Sequence, residues 1–336
     1  MGIILQGGHM DKIANTESST WPRGTSVPGL VSVIIPTYNR ATLLPLTLDS
    51  VWQQTYRPIE VMIIDDGSTD GTPAAAEHWA TEHADDSGFT MRVLRRENRG
   101  APIARNEGAE LSLGEYIQFF DSDDLMRPEK LARSIAVLRA EPELDFVTCD
   151  FLRFQEKNGT RLTNMDQWVF SQRKNTIVSY VNQPCLSTHS PVFRRSSLSK
   201  VGPWAEDLPV WQDFEYGFRI FALLKGKWLP EVLYDIRITP NAISDTKARK
   251  DDPTLGEAYV RACAHIEKNA RALNIFPEII RKELGVKLAK HAHSLAGKKS
   301  WTAYEVVSQA AICRLGFIQR SALVWHRLRL KLRRKY

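Results

Sequence analysis

The sequence predicts an α/β fold in which a mostly parallel sheet is flanked by helices, followed by an α-helical C-terminal region. From residue 31 onward, short runs rich in Val and Ile alternate with segments of helical periodicity. The runs are almost continuously apolar, which is typical of parallel strands buried on both faces. After about residue 254 the strand pattern is lost and only helical stretches follow.

The elements follow one another in regular order. "VSVIIP" is the first strand, and "ATLLPLTLDSVWQQ" is a helix that tolerates Pro45 because it lies near the first turn. "IEVMIIDD" is the second strand; it ends in the turn cluster "GSTDGT" before the helix "PAAAEHWATEHA". "TMRVLRR" and "APIARNEGAELS" form the next pair, then "EYIQFF" and "RPEKLARSIAVLRA", and "LDFVTCD" is the fifth strand.

The second half of the chain divides into an irregular stretch, two more strands and a helical region. Residues 151–185 are polar and irregular, and their role is not given by the sequence. "THSPVFRRSSL" and "EVLYDIRIT" are predicted strands on either side of the helix "DFEYGFRIFALL". The predicted C-terminal helices are 257–272, 277–296, 301–314 and 317–335.

Three regions are therefore expected along the chain. Residues 1–29 are rich in Gly, Ser, Thr and Pro and should be a disordered segment, partly derived from cloning because "GGHM" resembles a cloning junction. Residues 30–250 should form the α/β domain, and residues 251–336 the helical region.

Composition limits the class of protein. The 336 residues carry a formal net charge of +6, and no run approaches the roughly 18 apolar residues of a spanning helix. The N-terminus lacks the order of a secretory signal, so a cytoplasmic location is expected. The four cysteines are far apart, which favours reduced thiols over a zinc site or a disulfide framework.

The last twelve residues, "WHRLRLKLRRKY", hold six Lys or Arg and no acid. They form either a solvated helix face or a peripheral contact with an anionic membrane, to which Trp325, Leu328 and Leu330 would add apolar contacts. A helix that packs on its neighbours or on a second subunit is the alternative. Nucleic acid is not expected as a partner.

Acidic residues follow two of the predicted strands. Asp65 and Asp66 end one, and Asp121, Asp123 and Asp124 follow another. Carboxyl ends of parallel strands share one edge of a sheet, where ligands bind. Carboxylates this close repel one another unless a cation lies between them, and Mg²⁺ or Mn²⁺ is the usual choice beside a diphosphate. A strand-end turn with local hydrogen bonds would explain the Asp and Ser residues without a metal.

Basic residues lie next to the predicted acidic edge. Arg99 and Arg105 bracket the start of the helix in "ENRGAPIARNEG", where backbone N–H groups favour anions. Taken alone, Arg105 is as well explained by a surface ion pair.

Five motifs, "VSVIIPTYNR", "IIDDGSTDGT", "NRGAPIARNEG", "FFDSDD" and "WQDFEYGFR", occur in this order and resemble the family 2 glycosyltransferases of the GT-A fold over residues 31–245. The resemblance implies a GT-A domain, a nucleotide-diphosphate-sugar donor with UDP favoured, a divalent metal (Mn²⁺ or Mg²⁺) and inversion at the anomeric carbon. The products would belong to polysaccharide, glycolipid or cell-surface glycan synthesis, with a carbohydrate or lipid-linked acceptor.

Site residues follow from the resemblance by matching position. Asp66 or Asp65 would accept a hydrogen bond from the base, and Asp123 would be the direct metal ligand. Asp213 falls where the family keeps its catalytic base. The other donor-site positions are Pro36, Thr37, Asn39, Arg105, Asp121 and Ser122, of which Asp121 would also lie by the metal.

The chemistry requires a base because the acceptor hydroxyl loses a proton as it attacks. Asp213 is the predicted base, Glu215 is the nearest rival, and a helix N-cap is the other role open to Asp213. Trp204 and Trp211 either stack on a sugar ring or anchor the loop between them.

One departure from the family pattern concerns a possible metal ligand. Many relatives carry a His after the last core strand, and here Thr239 stands in that place in "RITPNAIS". Threonine is a poorer metal ligand than imidazole, so metal or phosphate binding is in question. His189 is a conceivable substitute, although a satisfied, partly buried histidine is the plainer interpretation.

Two further classes of protein share part of this pattern. A non-catalytic nucleotide-sugar-binding scaffold would keep the fold, but it would not need Asp213. A nucleotidyltransferase would be expected to show an early Gly-rich phosphate loop, which "IPTYNR" lacks.

Overall fold

The computed structural model describes residues 3–5, 21–83, 87–157, 160–162, 177–184, 186–187, 189–239, 253–297, 300–315, 320–321 and 323–324. The chain forms two compact units. The first comprises Met1–Arg173, Cys185–Asp207 and Ile220–Thr239, and the second comprises Lys174–Pro184, Leu208–Arg219 and Pro240–Tyr336. The second unit therefore includes two segments that lie before residue 250, where the sequence predicts the boundary.

The first unit contains a mixed sheet. Its strands are β1 (Ile3–Leu5), β2 (Val27–Thr37), β3 (Ile59–Asp65), β4 (Phe89–Arg95), β5 (Gly114–Phe119), β6 (Leu125–Met126), β7 (Phe146–Lys157), β8 (Thr160–Leu162), β9 (Val192–Arg194) and β10 (Gly226–Arg237). The spatial order is β1-β10-β7-β9-β5-β2-β3-β4, with β6 paired to β10 and β8 to β7. Strands β5, β2, β3 and β4 run parallel, as do β10 and β7. Strand β9 lies between these groups and is antiparallel to both. The predicted α/β class is confirmed.

The helices, in chain order, are α1 (Leu44–Trp52), α2 (Thr72–Glu82), α3 (Ala101–Leu111), α4 (Lys130–Ala140), α5 (Ile177–Asn182), α6 (Arg195–Val201), α7 (Gln212–Leu223), α8 (Pro253–Ala272), α9 (Pro277–Gly297) and α10 (Trp301–Ile312). Helices α1 to α4 and α6 belong to the first unit. The second unit holds α5, α8 to α10 and the part of α7 up to Arg219.

The core of the first unit lies under the apolar strands that the sequence singles out. Every residue of β3 is buried, as expected for a strand covered on both faces. Helix α3 packs closely on β2 and β3 at Gly108, where an added Cβ would lie 2.5 Å from Cγ2 of Ile34. The mid-helix glycine is thus explained by close approach of the helix to the sheet.

Three local predictions differ from the structure. "THSPVFRRSSL" was expected to be one strand, but only Val192–Arg194 pair in the sheet and α6 begins at Arg195. Residues 151–185, expected to be irregular, include the end of β7, strand β8 and helix α5. Within residues 1–29, expected to be disordered, β1 pairs with β10 and β2 begins at Val27. Short apolar segments such as Ile3–Leu5 acquire a strand conformation from their pairing partner.

The second unit is helical, as predicted. Helices α8, α9 and α10 match the first three predicted C-terminal helices closely. The fourth, 317–335, falls largely outside the described residues, as do Trp325, Leu328 and Leu330. None of the helices in the described part of the chain has both the length and the apolar character needed to cross a membrane.

Candidate functional site

The acidic turn after β5 is the centre of the candidate site. Oδ1 of Asp121 accepts a hydrogen bond from Nη2 of Arg105 at 2.8 Å, and its Oδ2 lies 2.7 Å from Nε2 of His189. The same imidazole nitrogen lies 3.1 Å from Oδ2 of Asp124. The imidazole thus bridges two carboxylates, while a guanidinium that is only 3% exposed pairs with one of them.

The pKa values of the three carboxyl groups in this cluster are shifted in opposite directions. Burial acts to raise the pKa of Asp121, but the charges of His189 and Arg105 outweigh it and hold that pKa well below its usual range. Burial raises the pKa of Asp124 to about 7; His189 opposes this shift, and the neighbouring Asp123 and Asp121 charges add to it. Burial and the charge of Asp121 also raise the pKa of Asp123. Closely spaced carboxylates raise one another's pKa, and Asp121 departs from this pattern because the charges of His189 and Arg105 lie next to it.

The geometry fits a divalent cation. Asp121, Asp124 and His189 each offer a ligand atom, and these atoms lie within 4.8 Å of one another. Two ligand atoms at adjacent positions of an octahedral ion, each about 2.1 Å from it, are about 3 Å apart. The distances from Nε2 of His189 to Asp121 and Asp124, 2.7 and 3.1 Å, are close to this value. Carboxylate oxygen with imidazole nitrogen is a suitable ligand set for Mn²⁺.

Asp123, which the family resemblance implies as the direct metal ligand, is placed differently. Its Oδ2 lies 3.4 Å from Nη2 of Arg40, and it is not part of the three-residue group. Asp124 is instead held towards the cluster, because the backbone N–H of Arg237 donates to its Oδ1 at 2.8 Å. Nε of Arg237 also donates to the carbonyl oxygen of Asp123 at 3.0 Å. Ser122, between Asp121 and Asp123, is buried.

His189 reaches this position through strand register. Strand β9 pairs with β5 so that Val192 is opposite Gln118. Continued by three residues, this antiparallel register puts residue 189 opposite residue 121. The sequence alone favours a structural role for His189, because nothing in it indicates that β9 pairs antiparallel with β5. Thr239, in the place of the usual His, follows β10 by two residues.

The ends of β2 and β3 carry the predicted nucleoside-binding residues. Pro36 is buried within β2, and Oγ1 of the buried Thr37 has no hydrogen-bond partner among the described residues. Asn39 has a left-handed backbone, with φ of 53°. Its N–H donates to Oγ of Ser68 at 2.9 Å, and its Oδ1 accepts from the N–H of Thr69 at 2.9 Å. Asn39 therefore joins the loop after β2 to the loop after β3.

The two adjacent acids at the end of β3, Asp65 and Asp66, differ in the hydrogen bonds that they accept. Asp66 accepts three hydrogen bonds at Oδ1, from Nε and Nη2 of Arg96 and from the N–H of Arg99, and one at Oδ2, from the N–H of Gly100. Oδ2 of Asp66 therefore keeps one acceptor site. Oδ2 of Asp65 accepts no hydrogen bond from the described residues and lies 3.5 Å from Nε of Arg95. Asp65 thus also retains an acceptor site, on a side chain that is fully buried.

Arg105 is held against Trp204. The guanidinium carbon lies 4.8 Å from the centre of the indole ring, and Trp204 is buried. Asn106 holds the backbone of Trp204 through two hydrogen bonds of 3.0 and 2.8 Å. Trp204 therefore supports Arg105 and is not an exposed sugar-stacking surface. Nε and Nη1 of Arg105 are buried and have no hydrogen-bond partner among the described residues.

The predicted base, Asp213, belongs to the second unit. It is exposed and is the second residue of α7, so it is not the N-cap. The preceding Trp211 has a left-handed backbone, with φ of 66°, and its ring centre lies 4.5 Å from that of Tyr259. The hydroxyl of Tyr180 lies 3.1 Å from the carbonyl oxygen of Asp213 and 3.2 Å from that of Phe214. These contacts hold the first turn of α7.

Glu215, the rival base, has a structural environment. It is 1% exposed and accepts two hydrogen bonds from Arg219, at 2.8 and 2.7 Å. Nδ2 of Asn269 donates a third, at 3.1 Å. A carboxylate that is buried and paired in this way is poorly placed to take a proton from a substrate.

Sequence comparison relates the chain to sugar-transferring enzymes. The profile of the family described as "Glycosyl transferase family 2" matches residues 32–202. EpsH of Bacillus subtilis (strain 168), named as a glycosyltransferase, is 27% identical over 269 residues, which cover 78% of this chain and 75% of EpsH. Glycosyltransferase GlyG of Streptococcus pneumoniae is 32% identical over 131 residues, which span 39% of this chain and 42% of GlyG.

Solved structures share the fold. S. aureus TarS 1-349 in complex with UDP-GlcNAc superposes with a TM-score of 0.64 and 20% identity, covering 89% of this chain and 87% of TarS 1-349. The mannosyltransferase PcManGT from Pyrobaculum calidifontis, in complex with GDP-Man and Mn²⁺, has a TM-score of 0.52 and 21% identity. At these identities the likeness concerns the fold alone.

Proposed function

Because the chain belongs to glycosyl transferase family 2, we propose that it transfers a sugar from a nucleotide-diphosphate sugar to a hydroxyl acceptor with inversion at the anomeric carbon. It has the GT-A fold that the sequence resemblance implied. The observation that carries the proposal is the cluster of Asp121, Asp124 and His189 beside Arg105, at the carboxyl end of a parallel strand.

A divalent ion, Mn²⁺ or Mg²⁺, would be held by Asp121 and His189 together with Asp124. Asp123 remains the ligand expected from the sequence, and it could join the set if Arg40 moved to the donor phosphates. When bound, the ion offsets the negative charge that develops on the leaving diphosphate. His189 would then supply the imidazole ligand that many relatives supply from the position of Thr239.

The donor would bind along the same edge of the sheet. Pro36, Thr37 and Asn39 would line the nucleoside pocket, and Asp65 or Asp66 would accept a hydrogen bond from the base. The two unpaired nitrogens of Arg105 would donate to the diphosphate or base, and Ser122 would contribute next to Asp121. UDP is the favoured nucleotide because the structural neighbour TarS is solved with UDP and with UDP-GlcNAc.

Asp213 would act as the general base. As the acceptor oxygen forms its bond to C1, the bond from C1 to the phosphate oxygen breaks and the hydroxyl proton passes to the Asp213 carboxylate. Glu215 would hold α7 in place through Arg219 and Asn269.

The test is nucleotide release. Purified protein is incubated with UDP-GlcNAc, UDP-glucose, UDP-galactose or GDP-mannose, with Mn²⁺ or with EDTA. We expect Mn²⁺-dependent release of UDP, and its loss in Asp121→Asn. Glu231→Gln is the matched control because Glu231 forms an exposed pair with Arg133 at 2.8 Å in the same unit. Donor binding without transfer or hydrolysis across a wide acceptor panel would favour the scaffold alternative.

The acceptor would be a carbohydrate or a lipid-linked sugar in polysaccharide, glycolipid or cell-surface glycan synthesis. We further propose the division into a catalytic region, residues 30–250, and a helical region, residues 251–336.

A cytoplasmic enzyme could meet a lipid-linked acceptor through its basic C-terminus. Liposome flotation of the full chain and of a chain ending at residue 316 tests the membrane contact, and equal flotation would argue against it.

A further inference from the structure

Helix α4 begins with a buried lysine. Lys130 has 0% exposure, and none of the ion pairs between described residues includes it. Burying an ammonium group without a carboxylate is costly unless its hydrogen bonds are well satisfied. An apolar residue would fill the same space without that cost, so the charge and donors of Lys130 call for an explanation.

The hydrogen bonds of Lys130 converge on the turn that carries His189. Nζ donates to Oε1 of Gln118 at 2.5 Å and to the carbonyl oxygen of Ser190 at 3.1 Å. Nε2 of Gln118 donates in turn to the carbonyl oxygen of His189 at 2.9 Å and to that of Phe119 at 2.6 Å. Two consecutive carbonyls, at 189 and 190, are therefore held by one buried pair of side chains.

The same pair connects both halves of the candidate metal site. Gln118 lies in β5, three residues before Asp121, and its amide bridges this strand to the turn at His189. The opposite side of the turn is also fixed, because Oγ of Ser190 donates to the carbonyl oxygen of Cys149 at 3.0 Å. The turn is thus restrained from two sides.

The rings around His189 limit its rotation. The centre of the Tyr234 ring lies 5.9 Å from that of the imidazole, and the centre of the Phe120 ring lies 5.8 Å from it. The Tyr234 hydroxyl hydrogen-bonds with Oγ of Ser187 at 2.6 Å, on the same turn. With the backbone and the ring both held, the imidazole nitrogen meets Asp121 and Asp124 at the distances described above.

We infer that Lys130, acting with Gln118, is a positioning residue that fixes the turn at His189 so that the imidazole completes a metal site with Asp121 and Asp124. The inference rests on the proposed function, since it requires a divalent ion at that site. Replacing a residue that hydrogen-bonds to a metal ligand typically lowers metal affinity by about 10-fold to 100-fold. Gln118 is such a residue, through the carbonyl oxygen of His189, and Lys130 acts one step further away, through Gln118 and Ser190. A buried polar network of this kind specifies geometry more than it adds stability.

The test measures metal binding directly, with Mn²⁺ and UDP as probes. Pulsed electron paramagnetic resonance detects an imidazole nitrogen bound to Mn²⁺, and a Mn²⁺ titration gives the affinity. We expect the nitrogen signal in the wild-type protein and its loss in His189→Ala. In Lys130→Met we expect Mn²⁺ affinity to fall about tenfold, the lower end of that range because Lys130 acts through Gln118, with a weaker nitrogen signal.

Two further variants keep the test decisive. In Gln118→Glu the carboxylate still accepts a hydrogen bond from Lys130, but it cannot donate one to the carbonyl oxygen of His189. This variant should therefore weaken Mn²⁺ binding, and it provides a test even if Lys130→Met does not fold. Leu131→Ala is the matched control, because Leu131 is the next residue of α4, is fully buried and belongs to the hydrophobic core. It should lower the melting temperature without changing Mn²⁺ affinity or the nitrogen signal.

The outcomes separate this inference from the proposed function. If Lys130→Met and Gln118→Glu keep wild-type affinity and signal while His189→Ala loses them, the positioning role is overturned and the metal site stands. If the wild-type protein shows no nitrogen signal and His189→Ala binds Mn²⁺ equally well, the metal site itself is overturned and the inference with it.

Discussion

Replacing the two acids in the first turn of α7 should separate chemistry from stability. Glu215 is buried, and its partners Arg219 and Asn269 donate three hydrogen bonds to it. Removing one partner of a buried ion pair costs about 3–5 kcal/mol. Glu215→Gln keeps one acceptor oxygen, so the lower value of about 3 kcal/mol is expected. That corresponds to a fall in melting temperature of roughly 6–12 °C.

Asp213→Asn should behave in the opposite way. Asp213 is exposed, and the attraction of its charge to the N-terminus of α7 is worth about 0.3–1 kcal/mol. The melting temperature should therefore change little. Loss of a general base lowers turnover by about 10²–10⁴-fold, because the acceptor hydroxyl must then lose its proton without a partner.

The assay compares the two variants side by side. Melting temperature is followed by calorimetry, and UDP release from UDP-GlcNAc with Mn²⁺ is followed with water or sugar as the acceptor. Residual turnover of Glu215→Gln is measured well below its melting temperature, where the folded fraction is high. If Asp213→Asn turns over at the wild-type rate, or if Glu215→Gln is stable but inactive, the assignment of the two roles is refuted.

Three further predictions concern the first unit. Asp124→Asn should lower Mn²⁺ affinity in titration calorimetry more than Asp123→Asn does, and the reverse order would favour the ligand expected from the sequence. Burial lowers the pKa of Lys130 to about 8, whereas an unfolded lysine titrates near 10.5. Between pH 8 and 10.5 the unfolded chain binds more protons than the folded chain, so the free energy of unfolding of the wild-type protein should rise with pH, by up to about 3 kcal/mol. Lys130→Met should lack this rise. Equal pH slopes for the two proteins in urea unfolding would contradict the prediction. Gly108→Ala should cost about 1–3 kcal/mol by overpacking against Ile34, and an unchanged melting temperature would show that α3 can move away.

Local patterns were enough to predict the α/β class, most strands and the C-terminal helices. A buried parallel strand such as β3 is a continuous apolar run, and an amphipathic helix repeats every few residues, so both can be recognised from neighbouring positions alone. The placement of Asp65, Asp66 and Asp121 at strand ends follows from the same reasoning, because parallel strands end at a common edge.

The membership of the metal-like group was decided by tertiary structure. Nothing near His189 in the sequence indicates that β9 runs antiparallel to β5, yet that register brings the imidazole to Asp121. The choice of Asp124 depends on the backbone N–H of Arg237, which is distant in the chain. Likewise, local pattern does not separate Asp213 from Glu215, since both are acids in one helical turn. Burial and the hydrogen bonds from Arg219 and Asn269 give Glu215 a different environment.

The amino-acid sequence alone therefore determined which elements form and which strand ends carry charge, since these depend on periodicity within a few residues. Tertiary structure decided which charged groups are paired, buried or left with a free acceptor. Those properties depend on strand register and on contacts between residues far apart in the chain, such as the one between Lys130 and the turn at Ser190.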